Sequence, residues 1–196
     1  MSNASCKEQE SQQATDAELV REVKKGRREC FDQLVLRHQR MVYLITRRMT
    51  SNHQDADDLA QETFLAAYRA MGRFDDRQSF SAYLSRIAIN LSINLLRRRK
   101  RWLRIWSERR GEAEKSSMSA KTLSPHRKME QTELLDRLER AMEDLPPHQK
   151  AVFILKVHRE MSYEEIAKNL KISTGTVMSR LHRARNRLRA QLKDLI

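Results

Sequence analysis

Apolar residues recur along this chain at three- and four-residue intervals in two blocks, separated by a stretch where the pattern disappears. That period belongs to amphipathic helices, because a 3.6-residue turn brings such positions onto one face. In the first block, Leu19, Val20 and Val23 predict a short helix that Thr15 or Asp16 can cap and Gly26 ends. Phe31, Leu34, Val35, Val42, Ile45 and Met49 predict a longer one. A third opens near Asp55, carries Leu59, Phe64, Leu65 and Tyr68, and stops at Gly72. The fourth begins near Ser79, carries Phe80, Leu84, Ile87, Ala88 and Leu91, and runs into Arg97, Arg98, Arg99, Lys100 and Arg101.

From Ser107 to Met129 the period is lost, and Glu, Lys, Ser and Arg dominate, with Gly111 and Pro125 as breakers. Too little apolar surface is present there to offset the entropy of ordering, so the stretch is expected to be a flexible linker. Fully extended it would reach about 75–80 Å. The pattern resumes with Leu134, Leu135, Leu138 and Met142, breaks at Pro146 and Pro147, and continues with Val152, Phe153, Leu155 and Val157. Pro147 is well placed to start a helix. The expected organisation is a polar tail over 1–14, a four-helix domain over 15–106, a linker over 107–129 and a second helical domain over 130–196.

Composition agrees with an all-α fold of two small helical domains. There are only 4 Gly and 3 Pro in 196 residues, few turn formers for a sheet. Aromatics make up 6% of the chain, so two modest cores are expected rather than one large one. The net charge of +13 calls for a polyanionic partner, with nucleic acid ahead of an anionic membrane surface. No segment approaches the roughly 20 apolar residues that span a bilayer, and Met1 to Gln13 lacks the apolar stretch of a secretory signal. Cys6 and Cys30 have no metal-ligand spacing and read as two free thiols of a cytoplasmic chain.

The sharpest local signal lies near the C-terminus. Ser162 and Glu165 form an S-x-x-E capping box that opens a short helix carrying Ile166, Ala167 and Leu170. After Lys171 and Ile172, Ser173 can cap a second helix with Val177, Leu181, Ala184 and Leu188 on its apolar side. Between Lys171 and Lys193 there are seven Lys or Arg residues and no acid. A basic amphipathic helix alone would more simply be a solvated face. Joined to the preceding capped helix by a tight turn, it becomes a helix-turn-helix. Thr174, Gly175 and Thr176 are small enough to let the second helix approach a major groove, where Ser179, Arg180, His182 and Arg183 can meet bases and phosphates.

Two features of the first block ask for partners. Asp55, Asp58 and Glu62 share a helix face, with Leu59 beside it, in an otherwise basic chain. Acids near a helix N-terminus suit its dipole; they would equally make a docking face for a basic protein. Farther on, Asn90 and Asn94 stand one turn apart and Arg97 and Arg98 follow, a combination suited to unstacked bases. No nucleophile–base pair, metal-ligand spacing or glycine-rich phosphate loop occurs, so neither an enzyme, a cofactor, a bound metal nor a small-molecule substrate is expected.

Three segments, Asp55–Ala70 (DADDLAQETFLAAYRA), Phe80–Arg101 (FSAYLSRIAINLSINLLRRRKR) and Leu145–Arg185, together resemble the extracytoplasmic-function group of bacterial sigma factors. The likeness runs from about Asp16 to Leu192 outside the linker, with its blocks in the family's order. The resemblance implies that Asp55, Asp58, Leu59, Gln61, Glu62 and Phe64 hold the β′ clamp helices of core RNA polymerase. It implies that the loop Phe74–Phe80 and the next helix melt and read the minus-10 element, through Ser79, Phe80, Asn90, Asn94, Arg97 and Arg98. The minus-35 reader would be the last helix, through Ser173, Thr174, Thr176, Ser179, Arg180, His182 and Arg183. Promoter DNA, the polymerase β flap and an anti-sigma factor, often at the membrane, are the further implied partners. The linker would thread toward the polymerase active site and RNA exit.

Three positions depart from the family's pattern. Tyr83 replaces a usual Trp, Asn94 a common Asp, and Met178 a frequent Lys or Arg. The first keeps an aromatic, the second removes a negative charge near DNA, and the third removes the basis for one phosphate or base contact. The competing reading is a helix-turn-helix transcriptional regulator that acts without polymerase; it leaves the acidic face and the Asn/Arg ridge without a use.

Overall fold

The computed structural model describes residues 14–109 and 131–193, with side chains over 14–106 and 137–193. Among the described residues there are eight α-helices, one 3₁₀ turn and no strand. Four form the N-terminal half: α1 (Asp16–Lys24), α2 (Glu29–Thr50), α3 (His53–Arg69) and α4 (Phe80–Arg109). The C-terminal half holds α5 (Gln131–Glu143), α6 (Pro147–His158), α7 (Tyr163–Leu170) and α8 (Thr174–Gln191). Most of the linker expected over 107–129 lies outside the described residues, as does Cys6, while α4 continues through Arg109.

Capping chemistry sets the helix boundaries. Thr15 starts α1 through a capping box in which Glu18 N–H donates to Thr15 Oγ1 at 3.3 Å and Thr15 N–H to Glu18 Oε2 at 2.7 Å. Gly26, at φ +96°, turns the chain toward α2, a conformation that a side chain resists. The start of α3 is set by Asn52, whose Oδ1 accepts the Asp55 N–H at 3.0 Å. With Ser51 left-handed at φ 57°, α2 and α3 form an antiparallel hairpin joined by two residues.

Leu34, Val42, Ile45, Met49, Leu84 and Ile89 fill the space between α2, α3 and α4, and α1 adds Leu19 and Val20. In the C-terminal half, Val152, Ile154, Leu155, Ile166, Val177 and Leu181 play the same part. Contrary to the expectation of two separate cores, these side chains form one continuous apolar cluster, because α6 and α7 pack on α2 and α4. A satellite of Ala141, Leu145, Ala184 and Leu188 closes α5 onto α8. The two halves are thus docked on each other, and the polar groups at their junction bear on the candidate site.

Candidate nucleic-acid interface

The helix-turn-helix is built as its sequence signals require. Glu165 N–H donates to Ser162 Oγ at 3.1 Å, and Ser162 N–H donates to Glu165 Oε2 at 2.7 Å, so both ends of the capping box are closed. Lys171, left-handed at φ 54°, ends α7. Ser173 Oγ then accepts the Thr176 N–H at 3.2 Å and starts α8. Val177, Leu181, Ala184 and Leu188 are buried, so the opposite face of α8, with Gly175, Ser179, His182, Arg183 and Asn186, meets solvent. A Cβ at Gly175 would meet nothing within 4 Å, so the front of the helix is open to a close partner.

Of the seven residues expected to read the duplex, Ser173, Thr174, Ser179, His182 and Arg183 lie exposed. Ser173 and Thr176 join hydroxyl to hydroxyl at 2.8 Å in the cap, which occupies them locally. Arg180 is half-buried and its charge acts on His148 of α6. His182 Nε2 accepts from Asn186 Nδ2 at 2.9 Å, one turn on. Asn186 was not among the expected residues, although its spacing from His182 was visible.

Along α4 the structure separates core from surface. Phe80 is 3% exposed, boxed by the rings of His38 (5.7 Å), Phe74 (5.7 Å) and Tyr83 (6.3 Å). Against its expected place among the strand contacts, it packs the loop against the helix bundle. Ser79 is exposed, and its Oγ accepts the Ala82 N–H at 3.4 Å in the first turn. Asn90, Asn94, Arg97 and Arg98 are all exposed.

The acidic face divides in the same way. Asp58, Gln61 and Glu62 are exposed on α3, whereas Leu59 and Phe64 are buried in the core. Asp55 is turned inward to Arg99 of α4, its Oδ1 accepting from Nη2 at 2.7 Å. Leu59 and Phe64 thus pack α3 against the bundle, Phe64 also lining a groove beside α2, and Asp55 ties α3 to α4. The sequence reasoning missed two exposed leucines, Leu36 of α2 and Leu65 of α3, at 67% and 54% exposure. A shallow groove of about 440 Å³ between α2 and α3 is lined by Val35, Arg40, Tyr43 and Gln61. Leu65 gave a signal beside Phe64, but periodicity alone could not tell which of the pair faces out.

At the junction of the halves, the end of α6 and α7 meet the first turn of α4. Arg159 Nη2 donates to Ser81 Oγ and Asn169 Nδ2 to the Ala82 carbonyl, each at 2.6 Å. A cleft of about 420 Å³ opens beside them, with Arg77, Tyr83, Arg86 and Lys168 in its walls. Burial raises the Tyr83 hydroxyl above its usual range, with the Arg86 charge opposing. Arg97 Nη2 donates to His148 Nε2 at 2.5 Å; a guanidinium can only donate, so the imidazole is neutral there. Burial, then the charges of Arg180 and Arg97, hold His148 below its ordinary pKa. Among the described residues, no cluster of three or more His, Cys, Asp or Glu could hold a metal, and no helix is long and apolar enough to cross a membrane.

Comparison with known proteins accounts for both halves. The family model described as Sigma-70 region 2 matches residues 34–102, and that of Sigma-70, region 4 matches residues 135–188. The chain is 35% identical to the ECF RNA polymerase sigma factor SigW of Bacillus subtilis, over 90% of this chain and 96% of that one. It is 36% identical to the ECF RNA polymerase sigma-E factor of Escherichia coli K12, over 95% and 98%. Among solved structures it is similar to CnrH in complex with the cytosolic domain of CnrY, at a TM-score of 0.66 and 28% identity over 91% and 97%. It is also similar to the sigma factor RpoE in complex with the anti-sigma factor NepR from Bartonella quintana, at 0.62 and 26% over 83% and 96%. Two family regions in order, on a helical fold with an exposed basic C-terminal helix, place the chain: it belongs to the extracytoplasmic-function group of the sigma-70 family, the subunits that direct RNA polymerase to promoters.

Proposed function

We propose that the chain performs this role through three surfaces, as a non-catalytic subunit working in the cytoplasm without cofactor or small-molecule substrate. The exposed acids Asp58 and Glu62, with Gln61 and the exposed Leu36 and Leu65, dock the β′ clamp helices of core polymerase. The outward face of α8, above all Ser179, His182 and Arg183, reads the minus-35 duplex, while the C-terminal half rests on the β flap. Ser79, Asn90, Asn94, Arg97 and Arg98 take the melted minus-10 strand. The observation that carries this reading is the sorting of charge: exposed acids gather on α3, while exposed cations line α4 and α8.

An anti-sigma protein fits as a regulator, since the similar RpoE structure contains one. Its attachment to a membrane would bring this chain there indirectly. A polymerase-independent regulator would need the helix-turn-helix alone and leaves α3 and α4 without work. The separating experiment mixes purified chain with core RNA polymerase and measures co-elution and promoter-specific transcription. Both are expected; tight promoter binding by the chain alone, with no affinity for core, would overturn the proposal.

A further inference from the structure

Asn90, Asn94, Arg98, Trp102 and Trp106 stand at strict four-residue intervals on α4, and all five are exposed. In an α-helix such a row advances about 6 Å and turns about 40° per step, so it forms a single inclined ridge. The ridge changes chemistry along its length: two amides, a guanidinium, then two indoles. Trp102 and Trp106 are 60% and 44% exposed, and their ring centroids lie 5.0 Å apart at 41°. Exposed large aromatics are costly in water unless a partner covers them. The Sigma-70 region 2 match ends at residue 102, so the indole end of the ridge extends past most of what the family pattern covers.

We propose that Trp102 and Trp106 form a stacking platform for unpaired DNA bases, which prolongs the strand path that begins at Asn90 and Asn94. This rests on the proposed minus-10 role of those amides. Charge selects the kind of occupant: from Arg97 to Trp106 there are six cations and no acid. Exposed indoles beside guanidinium groups are what a sequence-tolerant single-strand track uses, since every base offers a π-face. An anionic bilayer is the rival polyanion. Its usual ligand is a helix with a long apolar stripe, whereas the exposed apolar side chains here, Trp102, Leu103, Ile105 and Trp106, fit within five residues. That is about 6 Å of helix axis, too little for interfacial anchoring but enough to hold one or two bases.

These are the chain's two tryptophans, so intrinsic fluorescence reports on this site alone. The full chain is titrated with dT12, with a blunt duplex of equal length, and with phosphatidylcholine/phosphatidylglycerol vesicles. Quenching by the single strand at lower concentration than by the duplex is expected. By anisotropy of a labelled strand, the double variant W102L/W106L should bind at least about fivefold more weakly, and W102F/W106F should recover most of the loss. Unchanged strand affinity in W102L/W106L would overturn the platform, as would equal quenching by duplex. A blue shift with vesicles and no quenching by dT12 would overturn it in favour of a lipid surface. The wider reading fails separately: if the unaltered chain does not co-elute with core polymerase, the sigma role falls whatever the strand titration gives.

Discussion

The Arg99 guanidinium closes on the Asp55 carboxylate, with Nη1 2.5 Å from Oδ2 and Nη2 donating to Oδ1 at 2.7 Å. The Asp55 side chain is only 15% exposed while that of Arg99 is 49% exposed. The pair therefore ties the start of α3 to the solvated end of α4, across 44 residues of sequence. Because Arg99 is half in water, screening limits the pair to about 1 kcal/mol. Asp55→Asn should lower stability by about that amount in a denaturant titration. Charge reversal at Asp58 and Glu62 should change stability by less than about 0.5 kcal/mol and yet abolish co-elution with core polymerase. Intact core binding in the Asp58/Glu62 variant would mean those acids only complement the helix dipole.

Arg183 is exposed on the outward face of α8, clear of any capping role. Arg183→Ala should weaken recognition of a minus-35 duplex by about 1–3 kcal/mol at one base pair and relax the preference there. Arg187 lies closer to α5, lining a second, smaller cleft with Ala141, Asp144 and Leu145. Its replacement should lower affinity evenly across sequences and flatten the salt dependence. A promoter-variant binding series for both proteins checks the contrast.

Local signals were legible in the sequence where one element suffices to satisfy them. The Ser162–Glu165 box, the Ser173 cap and the Val177–Leu188 stripe each concern one helix and its ends, and each is found in the structure. The family blocks added the division into two regions. Relations between elements were not legible. Asp55 looked like its neighbours Asp57 and Asp58 because the partner that turns it inward sits in a run of five basic residues. Asn52, the cap of α3, is hard to single out for a similar reason, with several acids nearby able to cap. Phe80 stands both in the apolar stripe of α4 and among the contacts the resemblance implies, and the three aromatic rings around it decide for the core. The docking of the halves was hidden most deeply, because contacts such as Asn169 to Ala82 span 87 residues.

That docking is held by few polar groups. Arg159→Ala removes the hydrogen bond to Ser81 Oγ and should loosen the C-terminal half from the first turn of α4. Loss of one charged hydrogen bond of this kind costs about 1.5–3 kcal/mol. The variant should show a larger radius of gyration by small-angle scattering and bind a minus-10 single strand more tightly than the unaltered chain. An unchanged radius would show that apolar packing of α6 and α7 holds the halves without Arg159.

Lys150 gives the fold a dependence on alkaline pH. It is 3% exposed on α6, and its Nζ donates to Ser51 Oγ of the other half at 3.3 Å. Burial lowers its pKa from 10.5 to about 8, with Glu143 opposing the shift, Arg47 adding to it and Glu139 opposing it. A lysine whose pKa is lower folded than unfolded gives up its proton in the native chain first. Between about pH 8 and 10.5 the unfolded chain therefore holds more protons, and stability rises with pH by up to about 1.4 kcal/mol per unit. It is lost again as pH falls back through that window. Lys150→Met keeps the stem that fills the junction and removes the buried charge, so it should raise the melting temperature near neutral pH and flatten the rise above pH 8. Thermal unfolding of both proteins from pH 7 to 10 measures this directly, and parallel curves would mean that water or Glu143 keeps the ammonium charged at little cost.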